Sequence, residues 1–458
     1  MKIVKPFKII IVRNSSYIPV IIFCLLLISP FLHTGLVIKQ YTRLNEIFLI
    51  IVAIVILANN VTKEKLIGIK KIEFLLLILS LWTSISNLFG YMFLDVIPCA
   101  SDFYPVFNIL LFAIYFRLGT FFDFEQGKTG NMLRFLFITI LFFNFISISQ
   151  LSHWGYSNIL PLYVPCGFLQ SSNLFEPLSR TLGIMGNPCS FSIILVIILI
   201  LLVAWIMYIQ EMNKKFSFSL ILLLLSTSVS LILTFSRTGF VALTISLPFL
   251  LMMAKFRDGR NISKIMLPCT VITVLIIILL LNYNYFFYIS FSSLRGFRLD
   301  NIFSVTKEQS YGVSDLTNRI VLWKYGFEKA VMSPIFGWGL ANASNIQADI
   351  MGIAGSGMAF YGPHNEYVDI FLRTGLVGLF LWLALFFSIF RKANRLLELY
   401  SDSFTIFISR SVQAILVALA VFDLADGFWF NATIPAIAMV IFGAMYGLEK
   451  RKKYDYGK

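Results

Sequence analysis

The stretch FSIILVIILILLVAWIMYI, residues 191–209, contains no charged residue, and its length limits what the chain can become. About 20 consecutive apolar residues are what an α-helix needs to cross the hydrocarbon core of a bilayer. IPVIIFCLLLISPFL and ITVLIIILLLN follow the same pattern. Inside lipid the backbone has no water to bond, so a spanning chain is either helical or a closed barrel. These runs are continuous rather than alternating, which selects helices. Composition agrees: 58% of residues are hydrophobic and 13% charged, with a mean hydropathy of +0.84, against roughly 45–50% apolar and about 25% charged in soluble domains. The first run lies too far from any A-x-A-like site to be a cleaved signal peptide. The expected fold is an all-α polytopic membrane protein with about 12 transmembrane helices.

The spans fall near 17–33, 45–60, 72–92, 105–121, 132–151, 187–209, 217–235, 239–254, 265–283, 372–390, 411–429 and 432–447. Lys and Arg in short loops set the orientation. Lys2, Lys5, Lys8 and Arg13, then Lys63, Lys65, Lys70 and Lys71, fall on one side. The same side takes Lys214 and Lys215, Lys255, Arg257, Arg260 and Lys264, Arg391, Lys392 and Arg395, and the tail EKRKK. Both termini are therefore expected to be cytoplasmic. The net charge of +14 follows from this bias and from the anionic inner leaflet, and it is not read as nucleic-acid binding. Four regions result: 1–186 with spans one to five and an external loop, 187–283 with spans six to nine, 284–371 as one large external loop, and 372–458 with the last three spans and a basic tail.

Some cations break the orientation rule. Arg180, Arg237 and Arg373 stand on the external side against span ends, with Arg319 in the large loop. Each either snorkels to lipid phosphate or binds an anion. Several Arg on one face favour phosphate, because a guanidinium matches its oxygens bidentately. The large loop is longer than connections without function usually are. Within it, IVLWKYGFEKAVM repeats apolar residues at Ile320, Trp323, Phe327 and Val331, a helical stripe that Pro334 ends. Such a helix lies along the membrane surface or packs on the spans. The following segment, rich in Gly, Ser and Asn, suits a loop moulded around a ligand, although a plain external cap has the same composition.

GPHNEYVDIFLRTG, residues 362–375, returns this loop to the bilayer. Asp369 and Arg373 form an i,i+4 pair, which makes Arg373 a structural partner rather than a ligand. His364, alone among the chain's 3 histidines, stands in a polar, Gly-flanked return. It is read either as a hydrogen-bonded packing residue or as an acid–base group. Asp423 and Asp426 form an i,i+3 pair near the external end of the eleventh span. They either partner an Arg or line an acceptor path. No His/Cys/Asp cluster has metal-ligand spacing, so neither metal nor cofactor is expected. The 5 cysteines form no C-x-x-C pair. Cys99 and Cys166 both fall outside, where a bridge is open to them but not demanded.

Four signatures together resemble a known family. They are RTLGIMGNP with Arg180, Gly183, Gly186, Asn187 and Pro188; FSRTGFVAL with Ser236, Arg237 and Gly239; NRIVLWKYGFEKAVMSPIFGWGL with Arg319, Trp323, Pro334, Gly337 and Gly339; and PHNEYVDIFLRTGLVG with His364, Asn365, Gly375 and Gly378. Their order resembles the bacterial O-antigen ligase and O-antigen polymerase superfamily, integral-membrane glycosyltransferases that use polyprenyl-diphosphate-linked glycans on the periplasmic side. The resemblance covers mainly residues 176–390. It implies that the large loop is periplasmic, that the protein resides in the bacterial inner membrane, and that no metal is used. It implies that Arg180, Arg237 and Arg319 hold the diphosphate of an undecaprenyl-diphosphate-linked donor, with His364 as general base and Asn365, Asn187, Asp423 and Asp426 in support. The implied partners are that donor, a glycan acceptor and a chain-length regulator.

Within the family, a polymerase joins the growing chain to a lipid-linked repeat, and a ligase moves finished polymer onto lipid A core. The donor motifs are shared, so they do not separate the two. The Phe-rich chain, with 47 Phe, resembles the diverse polymerases better. Protein O-oligosaccharyltransferases are a third relative. A secondary transporter or glycolipid flippase would also have about twelve spans, but the halves show no internal repeat and no paired broken helices.

Overall fold

The computed structural model describes residues 37–38, 42–43, 70–94, 103–120, 129–149, 188–212, 217–234, 236–258, 316–339, 363–427 and 433–456. Expected spans 17–33, 45–60 and 265–283 lie outside these residues, as do Arg180, Asn187, Cys99 and Cys166. The described elements are a minimal antiparallel ladder and ten helices. In the ladder, β1 Val37–Ile38 pairs with β2 Thr42–Arg43, Val37 opposite Arg43. The helices are α1 Lys71–Phe93, α2 Phe103–Gly119, α3 Thr129–Ser149, α4 Pro188–Glu211, α5 Phe218–Leu233, α6 Arg237–Asp258, α7 Leu316–Met332, α8 Glu366–Leu399, α9 Ser403–Phe422 and α10 Thr433–Tyr456.

Among the described residues, four helices, α1, α4, α8 and α9, are long and apolar enough to cross a membrane. Shorter apolar stretches run through Pro105–Gly119, Phe137–Ser149, Phe218–Leu233, Arg237–Met253 and Ile434–Leu448. This is a helical, multi-pass membrane protein. α4 and α9 are mostly buried, and α9 packs on α4, α6, α8 and α10. A helix apolar on all sides belongs in such an interior, whereas one stripe suffices at the rim. α2 and α10 meet backbone to backbone, since a Cβ on Gly119 or on Gly443 would run into the other helix's carbonyls. Small residues of this kind let helices approach where lipid supplies no hydrophobic drive between them. Several buried polar groups find partners within the bundle: Thr83 and Thr227 donate to carbonyls one turn back, and Asn144 of α3 donates to Ser226 and Thr227 of α5 at 3.0 and 2.9 Å.

α8 is two helical segments. Gly375, at φ +67° and ψ −172°, separates Glu366–Thr374 from the long remainder. Unbroken, its 34 residues would extend about 51 Å at 1.5 Å per residue. The ring of Tyr367 nevertheless meets that of Trp382 edge-on with centroids 5.3 Å apart, although fifteen residues of straight helix would separate them by about 22 Å. The first segment is therefore folded back beside the second. The segment after α7 fixes this geometry. Trp338 and Gly339 donate their amides to the carbonyls of Leu372 and Arg373 at 2.9 Å each, and Leu376 donates to Pro334 at 2.7 Å. Trp82 Nε1 donates to the carbonyl of Thr374 at 2.8 Å. Phe336 stacks against both Trp82 and Phe89. The carbonyls freed by the break thus find donors, as backbone at membrane depth requires.

Two span boundaries differ from the sequence reading. The helix that carries the tenth span begins at Glu366 rather than 372, because Asn365 caps it, accepting from Val368 N at 3.2 Å, and its long part starts only after the break at Gly375. The eleventh runs over Ser403–Phe422 rather than 411–429. Asp402 starts it early by accepting from Thr405 N at 3.0 Å, as N-cap carboxylates do. The turn Asp423–Gly427 then stops it. Asp423 and Asp426 are therefore not a pair within a transmembrane helix: Asp423 is the C-cap and Asp426 lies in the turn beyond.

Candidate active site

Three elements converge beside the folded-back start of α8. These are the first turns of α7, the Pro363–Glu366 entry of α8, and the turn that ends α9. Three successive carbonyls of that turn are held from across the joint. Glu366 N donates to Asp423 O at 2.8 Å, Asn365 Nδ2 donates to Leu424 O at 3.1 Å, and Arg319 donates to Ala425 O. Trp323 Nε1 donates to the carbonyl of His364 at 3.3 Å. Leu322 and Ala330 of α7 pack on Phe371 and Leu372. Of the stripe Ile320, Trp323, Phe327 and Val331, Trp323 thus faces the joint and Phe327 meets the ring of Phe371 at 5.8 Å, while Ile320, Phe327 and Val331 are each more than half exposed. α7 is thus pinned to α8 along one face and presents the other.

His364 stands at the centre of the joint with φ +51°, the one non-glycine residue with positive φ among the described residues. Left-handed backbone costs an L-residue about 1–2 kcal/mol, and it persists only where the surroundings over-determine it. Here Pro363 precedes it, Trp323 holds its carbonyl, and the next residue, Asn365, is bonded to both Val368 and Leu424. The imidazole Nδ1 faces Asp426 Oδ1 at 3.4 Å, the long end of hydrogen-bonding range. A carboxylate only accepts, so this contact favours the form of the imidazole that carries a proton on Nδ1. The ring remains 24% exposed in its side chain, open enough to reach a substrate.

The structure brings together His364, Asn365, Asp423, Asp426 and Arg319. Asp426 partners His364 rather than an Arg, and Arg319 reaches the same turn through a backbone carbonyl. Asn365 holds the joint. Arg373 Nε donates to both oxygens of Asp369 at 2.8 Å, the structural pair expected from their spacing. Arg237 opens α6 at the same end of the bundle. Arg410, near the start of α9, meets Glu211 at the end of α4 at 3.6 Å, so α4 and α9 run antiparallel and Ser192 lies where α9 finishes. Ser192 Oγ donates to Ser236 at 2.9 Å, placing its neighbour Arg237 there. Sequence reasoning missed Glu366 and Gly427 as parts of this joint. The Asn cap at 365 and the Asp-Gly pair at 426–427 were the available signals.

Fold and site together define a polytopic helical membrane protein with a histidine–carboxylate pair at one end of the bundle. Residues 218–383 match the family model described as O-antigen ligase, which supports the superfamily that the motifs resemble. The matched stretch contains Arg237, Arg319 and His364 and stops before Asp423. It supports a glycosyltransferase-like activity in general terms. No curated protein matches the chain.

Proposed function

We propose that the protein is a surface-polysaccharide polymerase that transfers an undecaprenyl-diphosphate-linked glycan to a lipid-linked repeat unit at the periplasmic face of the bacterial inner membrane. In this reading the chain has twelve spans, both termini are cytoplasmic, and 284–371 is a periplasmic loop. The observation that carries its transfer chemistry is His364, held in left-handed backbone with Nδ1 directed at Asp426. The acceptor hydroxyl attacks the anomeric carbon while its proton passes to His364 Nε2, and the bond from that carbon to the diphosphate breaks. The products are a new glycosidic bond and undecaprenyl diphosphate. Attack opposite the leaving group inverts the anomeric centre. Arg180, Arg237 and Arg319 meet the charge that grows on the diphosphate, where fixed donors lower the barrier most. No metal is assigned a step.

A second reading, transfer of finished polymer to lipid A core, is favoured by the description of the matched family model itself. The surface-glycan ladder of a deletion strain separates them. Core bearing a single repeat supports the polymerase. Bare core with long lipid-linked polymer accumulating establishes the ligase, and an unchanged ladder overturns both and returns the transporter to consideration. The phosphate role has its own test. Arg180→Lys and Arg237→Lys are each expected to slow transfer about tenfold, the loss of one charged hydrogen bond, because Lys keeps the charge but not the fork. Full activity in both returns these residues to snorkelling.

A further inference from the structure

We infer that Glu366 and Gly427 form the positioning device of the base, fixing the carboxylate of Asp426 that faces His364; this deepens the reading of His364 as general base and rests on it. Glu366 is fully buried, an unusual place for a carboxylate in an apolar bundle. It lies in the first turn of α8, where the helix dipole favours negative charge. Its carboxylate occupies the space beside Gly427: a Cβ there would stand 2.5 Å from Glu366 Oε2. Gly427 in turn donates its amide to Asp426 Oδ1 at 3.0 Å. That same oxygen faces His364 Nδ1 at 3.4 Å.

The contacts close a ring. His364 is joined to Glu366 through the chain, Glu366 to Gly427 by packing, Gly427 to Asp426 by its amide, and Asp426 to His364. Each link is short, so the place of Oδ1 is set from both sides. Of the other charged groups, Asp369 is engaged with Arg373 and Arg319 with the carbonyl of Ala425, while Asp423 is fully buried and its carbonyl accepts from Glu366 N. A methyl at position 427 would displace the Glu366 carboxylate or move the amide that holds Asp426. Either shift leaves the imidazole in place and loosens what orients it. Glu366 is therefore a positioning residue, acting through Gly427 and Asp426.

The test is a double-mutant cycle on transfer from a polyprenyl-diphosphate-linked glycan by the full-length protein in detergent. Gly427→Ala and Asp426→Asn are each expected to lower kcat by about tenfold to a hundredfold, the scale of a misplaced catalytic group, with KM for the donor unchanged. The double variant should be no slower than Asp426→Asn alone, since both break one device. Wild-type kcat in Gly427→Ala, a raised KM, or losses that multiply in the double variant would each overturn the inference. If Gly427→Ala does not accumulate, the near-isosteric Glu366→Gln enters the same cycle with the same expectations. Activity retained without the His364 imidazole sinks the base reading itself. An inactive imidazole variant beside a fully active Gly427→Ala sinks only the positioning device.

Discussion

His364→Gly is expected to accumulate in the membrane at the wild-type level, unfold at nearly the wild-type temperature, and lose transfer by about a hundredfold to ten-thousandfold, the usual contribution of a general base. The stability expectation follows from the backbone. At φ +51° the native histidine carries strain of about 1–2 kcal/mol, which glycine does not. Against that gain stands the freedom glycine adds to the unfolded chain, about 0.5–1 kcal/mol. The imidazole, 24% exposed, gives up part of its packing, and its partner Asp426 keeps the Gly427 amide. The net change should lie within about 1 kcal/mol. His364→Ala tests the same chemistry without that relief, since alanine must adopt the strained backbone too. Protein level, thermal unfolding in detergent and initial transfer rate decide the matter together. Transfer above a tenth of wild type in His364→Gly would move the base to a neighbouring carboxylate, Asp426 or Glu366.

The membrane class and the positions of the apolar helices among the described residues were legible because length and continuity of apolar residues carry them, and neither depends on distant parts of the chain. The Asp369–Arg373 pair was legible for the same reason, being four residues apart on one helix. The joint at His364 was not. Asp426 is sixty-two residues away, and the two meet only because α8 folds back at Gly375. A span of average length, drawn through residues 372–390, erases that fold. The stripe at Ile320, Trp323, Phe327 and Val331 was legible as a helix with both a surface and a packed position open to it, and Leu322, Gly326 and Ala330 add a smaller face on which α7 packs. Periodicity marks an amphipathic helix without saying which side finds a partner. Asp423 and Asp426 looked intramembrane because the apolar residues around them continued the run, while the Asp402 cap that moves the whole helix earlier lies in a polar stretch between spans.

Gly375→Ala is expected to fail in the opposite manner to His364→Gly, losing folded protein first and activity with it. Backbone at φ +67° and ψ −172° belongs to a region that only glycine enters readily, at a cost of about 1–3 kcal/mol for other residues. A Cβ at 375 would also collide with the carbonyl of Ile335, and that backbone has no room to yield. Pro334 beside it accepts from Leu376, while Trp338 and Gly339 are bonded to Leu372 and Arg373. Overpacking of this kind adds about 1–3 kcal/mol, so a total near 3–4 kcal/mol would remove a large part of the margin of a marginally stable protein. The protein level should fall steeply, and the surviving fraction should unfold well below wild type. Should Gly375→Ala instead accumulate and melt as wild type, the backbone at 375 would have an alternative conformation open to it. The folded-back segment Glu366–Thr374, and with it the approach of His364 to Asp426, would then not depend on this glycine. The two variants therefore separate the residue that does the proposed chemistry from the break in α8 that brings it to its carboxylate.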